Sequence, residues 1–387
     1  MTDLYLLEPK SRSAWFPFSD SRPICELRAG AWLMRERWEA TTHAKSKTIF
    51  GPKYLTSFVE DDAPSVNTLH PVEGPAIVGR SDFAPSGVTP ELSNDRVRLV
   101  NEGETVGWWV PEGTWDGSPV EWPEVELEGV RLLGAYDLVT ALEHLLPADV
   151  ADFVGERGDA LPDGSTVIGD PGNIVLLGAS IEPGVTFDVR EGAVVIEQHT
   201  YVKGGTRLEG PMYVGPGTVI LGGQISRSTI GPRCRVRGEV SASVFLSYSN
   251  KTHDGFIGHS AVGRWVNLGA GTTTSNLKNT YGEVRLNVDG NQIETGRQFL
   301  GTLFGDHVKS AIGTMFPTGA VVGTGANVVG EHAPPKYTRP FAWGSTDDLV
   351  SLDGFLKTAE RVMSRRDVAL TEEQRAMLTA IHQHSTC

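Results

Sequence analysis

The spacing of apolar positions changes character along the chain. From about residue 160 to 332, glycine-centred turns recur every five or six residues, in VIGDPGN, IEPGV, YVGPGTVILGG, TIGPRCRV, AVGRWVNLGAG and AIGTMFPTGAVVGTGANVVG. Apolar residues pair six apart in the same stretch: Ile181 with Phe187, Val189 with Val195, Val219 with Ile225, Ile230 with Val236, Val262 with Leu268, Val322 with Val328. A period of six, rather than 2 or 3.6, means strand, tight turn and strand, wound so that every sixth side chain stacks inward on the preceding coil. It predicts a left-handed parallel β-helix over residues 161–335, with about nine triangular coils of three hexapeptides each. An antiparallel sandwich would instead show two-residue alternation and hairpin dipeptides, which are sparse here.

Residues 1–135 follow no such repeat. LYLLE (4–8) reads as a buried strand, and apolar residues at 24, 27, 31, 33, 34 and 38 form a roughly helical stripe after Pro23, interrupted by Gly30. The runs APSVNTL, PAIVG, RVRLVN and ETVGWWVP, separated by Pro, Gly, Asp and Asn, read as short strands, so this part is expected to be an α/β domain. Residues 136–160 form a helical linker in which Pro147 is expected to break YDLVTALEHLLPADVADFVG into two helices. Residues 276–307, rich in Asn, Lys, Thr and Gly, interrupt the solenoid repeat and predict loops thrown out from the coil. After Pro334-Pro335, residues 346–385 return to helical spacing, and TEEQ after Leu370 is a capping-box-like start. The C-terminal segment 336–387 therefore predicts two helices, packed on the end of the β-helix or on a neighbouring subunit.

A chain of 387 residues can hold two or three domains. With 34 Lys+Arg against 48 Asp+Glu its formal charge is −14, which repels a nucleic-acid backbone or an anionic lipid surface and argues against both as partners. Cys25, Cys234 and Cys387 offer neither a disulfide framework nor a CxxC metal knuckle, which suits a reducing cytoplasm. The N-terminus has no basic region followed by an apolar core, and no 18-residue apolar run occurs, so a soluble cytoplasmic protein is expected.

The chemistry concentrates in SNKTHDGFIGHSAVGRWVNLGAGTTTSNLKNTYG, residues 249–282, where His253 and His259 lie six apart. Three readings of His253 stand side by side. Two histidines one step apart in a coil can ligate zinc, but a third is needed, and His199, His307 and His332 show no matching spacing. The ring can simply be hydrogen-bonded in a turn. As a neutral imidazole it can also act as a general base, taking a proton from an amine that attacks a thioester.

KTHDGFIGHSAVGRWVNLGAGTTTSN resembles the acetyltransferase domain of the bifunctional bacterial enzyme that makes UDP-N-acetylglucosamine, through His253, Phe256, Gly258, Val262, Gly263, Asn267, Gly269, Ala270, Gly271, Thr272 and Asn276. SRPICELRAGAWLMRERWE, GPMYVG, GEVSASVFLSYSNKTHDGFIGHS and WVNLGAGTTTSNLKNTYG are still closer to the GlmU-like group of sugar nucleotidyltransferases, over most of the chain. The resemblance implies a diverged nucleotidyltransferase-like domain followed by a β-helix that acylates an amino-sugar 1-phosphate from acetyl-CoA, usually as a homotrimer with each active site across a subunit seam. It makes His253 the catalytic base, with Asn267 and Asn276 lining the pocket between amino sugar and thioester and the Ala270 backbone near the acyl group. Arg235, Arg237, Lys251 and Lys278 are the candidate phosphate-binding residues. Asp254 either tunes the imidazole or is a solvated turn carboxylate. Family tyrosines are replaced by Phe256 and Leu277, which removes hydroxyls from the pocket and leaves the sugar open.

Sugar-nucleotide pyrophosphorylases normally open with a glycine-rich L-x-x-G-x-G-x-R loop that wraps a triphosphate, and that loop is absent. In its place SRPICELRAG offers Arg22 and Arg28 for phosphate, with Arg28 equally able to pair with Glu26 or Asp20. Nucleotidyl transfer also calls for acidic ligands to Mg²⁺, for which Asp61 and Asp62 are eligible. A sugar-nucleotide-binding protein without catalysis and a metal-dependent hexapeptide enzyme are the competing readings.

Overall fold

The computed structural model describes residues 2–87, 92, 94–118, 121–155, 158–330, 332–344 and 348–386; Cys387 and residues 346 and 347 lie outside the described residues. The N-terminal part is a seven-stranded mixed sheet in the spatial order Glu124–Glu126, Val97–Asn101, Glu104–Val110, Ala76–Arg80, Asp3–Leu7, Ser46–Phe50, Val66–Asn67. Its four central and edge strands from Ala76–Arg80 to Val66–Asn67 run parallel, and Glu104–Val110 joins antiparallel. Leu4 and Leu6 are fully buried, as expected of a strand covered on both faces.

Two local expectations fail. The stripe from Ile24 to Trp38 is not one helix: Ile24–Glu26 is a 3-10 turn, Arg28–Ala29 pairs with Trp32–Leu33 in a two-residue hairpin, and the α-helix is Met34–Thr42. Gly30 turns the chain at φ +69, and the apolar spacing serves a segment packed on two sides rather than one helical face. Pro147 does not break its helix either, because Asp137–Ala151 is continuous. Pro147 lies on the exposed face between buried Leu146 and Asp149, so water can satisfy the carbonyl left without a partner.

Strands from Thr166 to Thr338 stack in register as a parallel β-solenoid. One face is a nine-stranded ladder from Ile174–Leu176 to Tyr337–Thr338, one rung per coil. The other two faces share a twelve-stranded sheet and its short extension, because Arg235–Ser241 bends round a corner and pairs with both Asn250–Lys251 and Phe256–Gly258. Residues six apart, such as Ile230 and Val236, thus occupy successive faces of one coil rather than stacking. True stacking partners lie a whole coil apart: Val214, Ile230, Phe245, Val262, Phe304 and Val322 form one inner column and are all fully buried. The interruption at 276–307 contains an antiparallel hairpin, Val284–Val288 with Asn291–Arg297, after which the ladder resumes at Thr302–Phe304.

The sheet and the solenoid share a core. Trp15, Phe18, Ile24 and Leu27 pack with Leu138, Leu142 and Leu145 of the Asp137–Ala151 helix against Tyr213, Val244 and Leu246 on the outside of the nine-stranded face. Helices Leu352–Ser364 and Glu372–Thr386 form a C-terminal hairpin. Its second helix opens with a reciprocal capping box: Gln374 N donates to Thr371 Oγ1 at 3.2 Å and Thr371 N donates to Gln374 Oε1 at 3.1 Å. The hairpin bridges both parts, stacking His384 on Tyr54 at 3.8 Å and setting Phe355 edge to face with Phe341 at 4.9 Å.

Candidate active site

The corner between the two faces of the long sheet carries His253, in the turn joining Asn250–Lys251 to Phe256–Gly258. The turn is built from inside. Lys251, a position where neighbouring coils place Val236 and Leu268, points into the solenoid and is fully buried. Its Nζ donates to the carbonyls of His253 and, at 3.3 Å, Arg237. Gly238 makes room for this on the coil above: at φ +101, a Cβ there would stand 2.8 Å from Gly255 O and 3.2 Å from Lys251 Nζ. Burial pulls the Lys251 ammonium down to about 8, with Asp254 opposing. His253 itself is exposed. Asp254 is a surface carboxylate that accepts from Arg237 Nε at 3.0 Å.

The next coil places the Ala270 turn directly beneath, where Gly271 N donates to Asp254 O at 3.0 Å. Phe256 lies on the adjoining face above Thr273, the two linked by Phe256 N donating to Thr273 Oγ1 at 3.4 Å. Asn276 sits at the far corner of that face. Its Nδ2 lies 2.8 Å from His259 Nδ1, and His259 stacks on Phe299 at 5.1 Å. Burial holds the His259 ring below its ordinary value, so the neutral ring accepts the amide hydrogen. Asn267 lies on the other face, accepting from Asn250 Nδ2 at 2.8 Å, and Asn250 in turn accepts from Arg366 at 3.3 Å.

Within one chain, then, His253, Ala270, Phe256 and Arg237 share a corner, while Asn267 and Asn276 are on separate sides. Arg235 is exposed on the Asn267 face, in register with Asn250. Lys278 donates to Glu283 O at 2.7 Å at the foot of the inserted hairpin. Lys251 faces inward, so its ammonium shapes the turn rather than meeting a ligand. His253 and His259 occupy successive corners of one coil, and among the described residues no group of three or more His, Cys, Asp or Glu is placed to hold a metal.

The N-terminal arginines are internal. Arg22 is buried, donating to Asp306 of the solenoid at 2.8 and 3.0 Å and to Glu60 at 2.7 and 3.1 Å. Arg28 pairs with neither Glu26 nor Asp20. It donates to Ala31 O and, at 3.4 Å, to Leu246 O of the solenoid, while Arg35 takes Glu26. Gly30 O accepts from Thr229 Oγ1 at 2.9 Å. SRPICELRAG is thus the seam between sheet and solenoid. Asp61 and Asp62 are exposed on a turn, and the arrangement does not fit a pre-formed Mg²⁺ site.

A seven-stranded mixed sheet thus stands ahead of a parallel solenoid whose corner carries His253. Residues 4–79 match the sugar nucleotidyl transferase family. The chain is 34% identical over 150 residues to a bifunctional sugar-1-phosphate nucleotidylyltransferase/acetyltransferase of Sulfurisphaera tokodaii, covering 36% of this chain and 35% of that protein. It is 25% identical over 310 residues to the bifunctional protein GlmU of Methanococcus aeolicus, covering 70% and 66%. It is 23% identical over 334 residues to that of Mycolicibacterium smegmatis, covering 81% and 56%. The GlmU-like resemblance is borne out, and the chain spans between about a third and two thirds of the length of these curated relatives.

Proposed function

We propose that this chain transfers an acetyl group from acetyl-CoA to the amine of an amino-sugar 1-phosphate in nucleotide-sugar biosynthesis. The observation that carries the reading is the His253 turn, exposed on the surface yet pinned from inside by a buried lysine and stacked on the Ala270 turn. In this reading His253 takes the proton from the attacking amine. The nitrogen bonds to the thioester carbonyl carbon, the C–S bond breaks, and the sulfur leaves as a thiolate that is then protonated. The Ala270 backbone approaches the acyl group, Arg235 and Arg237 face the sugar phosphate, and Asn267 and Asn276 orient substrate and thioester.

A homotrimer belongs to the proposal. Asn267 and Asn276 lie on different sides of one solenoid, so a second copy laid along the Phe256 face would bring one copy's His253 to another's asparagine. Met315, 59% exposed and in register with Thr273, and Ile312, 75% exposed, supply apolar surface on that side.

A second reading applies to the N-terminal unit, which binds a sugar nucleotide or serves as a platform without transferring a nucleotidyl group. Arg22 and Arg28 are spent on the seam. Calorimetric titration combined with thiol release separates the two activities. Heat with acetyl-CoA and turnover with glucosamine 1-phosphate are expected; heat with a nucleotide sugar but none with acetyl-CoA would leave a binding protein.

A further inference from the structure

Asn267 stands in an outward-facing column on the Asn250 face: Arg235, Asn250, Asn267 and Lys309 are register partners on four successive coils. Their chain neighbours Val236, Lys251, Leu268 and Ser310 point inward and are buried, as the two-residue alternation of a strand requires. Arg366 reaches this column from the C-terminal hairpin, two residues past the Leu352–Ser364 helix.

The direction of each bond follows from the chemistry of its partners. A guanidinium only donates, so Asn250 turns its Oδ1 to Arg366, at 3.3 Å. Its Nδ2 therefore faces Asn267, which offers Oδ1 in return, at 2.8 Å. That leaves the Asn267 Nδ2 hydrogens without an acceptor. The Asn250 oxygen is already taken, and the next residue in the column, Lys309, also only donates, its ammonium bonded to His307 O at 2.9 Å. Among the described residues Arg235, Lys309 and Arg366 make no ion pair, so no carboxylate supplies the missing oxygen.

We propose that Arg366 is a positioning residue for the acetyl transfer: through Asn250 it holds Asn267 so that the Nδ2 hydrogens, and not the carbonyl oxygen, face the ligand. The inference rests on the acetyltransferase reading, in which Asn267 lines the pocket, and adds the polarity of that contact. The atom Asn267 meets is an acceptor oxygen, of the sugar phosphate or of the thioester carbonyl, and not an N–H of the attacking amine. The C-terminal hairpin thereby becomes part of the site, held on the solenoid by Phe355 against Phe341.

Asn250→Asp reverses the polarity at nearly constant size. A carboxylate accepts from Arg366 and from Asn267 alike, so Asn267 turns its Nδ2 toward position 250 and sets its carbonyl oxygen against the ligand's. On the full chain, thiol release from acetyl-CoA with glucosamine 1-phosphate is expected to lose about tenfold in kcat/KM, the equivalent of one hydrogen bond, with the thermal midpoint kept or raised by the new ion pair. A rise in KM for glucosamine 1-phosphate at constant kcat assigns the oxygen to the sugar phosphate. A fall in kcat assigns it to the thioester, where charge develops in the transition state. In an Asn267→Leu background Asn250→Asp should add nothing, because it acts only through that amide. Arg366→Met carries the test if Asn250→Asp does not fold: it frees both amides to take either orientation and should cost about twofold, and Arg366→Lys, which again only donates, should recover the loss. Wild-type turnover that Asn250→Asp leaves intact, or an equal loss in the Asn267→Leu background, would overturn the positioning role alone. Wild type without turnover would overturn the acetyltransferase reading and this inference with it.

Discussion

Replacing Arg22 with alanine should loosen the N-terminal sheet from the solenoid. Its side chain is 3% exposed and makes four hydrogen bonds, two to Asp306 and two to Glu60. Alanine leaves both carboxylates in place. Asp306 keeps Ser21 Oγ at 2.9 Å and Arg264 N at 2.8 Å, and Glu60 keeps the Arg264 guanidinium. Breaking a buried ion pair by removing one partner costs about 3–5 kcal/mol, and the surviving contacts put this case near the lower figure. That is still a large part of a typical folding free energy of about 5–15 kcal/mol. The pH dependence follows from Glu60. Burial alone would raise it, but Arg22 and Arg264 outweigh burial and hold it below its ordinary 4.5. A depressed carboxyl contributes stability that is present above 4.5 and lost as pH falls through the folded-state value. Without Arg22 the depression shrinks, so acid unfolding begins at a higher pH. Urea unfolding at pH 7 and at about pH 4, below the ordinary 4.5 of the carboxyl, measures both effects. A cost below about 1 kcal/mol at pH 7, the range of an exposed ion pair, would refute the claim that this arginine docks the two parts.

Three further variants probe the site and its supports. Lys251→Met removes the donor beneath the His253 turn and should lower acetyl transfer about tenfold, the equivalent of one hydrogen bond of about 1.4 kcal/mol, with circular dichroism unchanged. The buried ammonium, at about 8 against an ordinary 10.5, penalises the folded state while the unfolded chain stays protonated, so wild-type stability rises between those two values and the variant loses that slope. Gly238→Ala forces a Cβ against the backbone of the His253 turn at φ +101 and should abolish acetyl transfer while the solenoid still gives its β spectrum. Thr371→Ala deletes one half of the capping box and should cost about 1 kcal/mol, seen as faster proteolysis within the C-terminal hairpin.

The solenoid was legible because glycine turns and inward apolar residues recur at every corner, so a period of six survives in a single sequence. The stacking partners were not, because Ile230 meets Phe245 and Phe245 meets Val262 across a whole coil whose length varies. The same variation concealed an edge of the solenoid at which Arg233, Tyr248, Trp265 and His307 take the same left-handed turn position on successive coils: steps of 15, 17 and 42 residues separate the four, and the inserted hairpin accounts for the longest. His253 and Ala270 could be read from their motif. That Lys251 faces inward could not, since its neighbours in sequence are polar and only the stacked Val236 and Leu268 reveal the direction. Arg22 and Arg28 looked like phosphate ligands because a basic residue after the first strand has two uses, and only the Asp306 and Leu246 contacts separate them.

The central claim is that the imidazole at 253 performs acid–base chemistry on an acetyl transfer. The measurement is steady-state thiol release from acetyl-CoA with glucosamine 1-phosphate by wild type and His253→Ala, each checked for assembly by light scattering. Loss of about 10²–10⁴ in kcat with assembly retained is the predicted result. Turnover unchanged by the substitution would contradict the account.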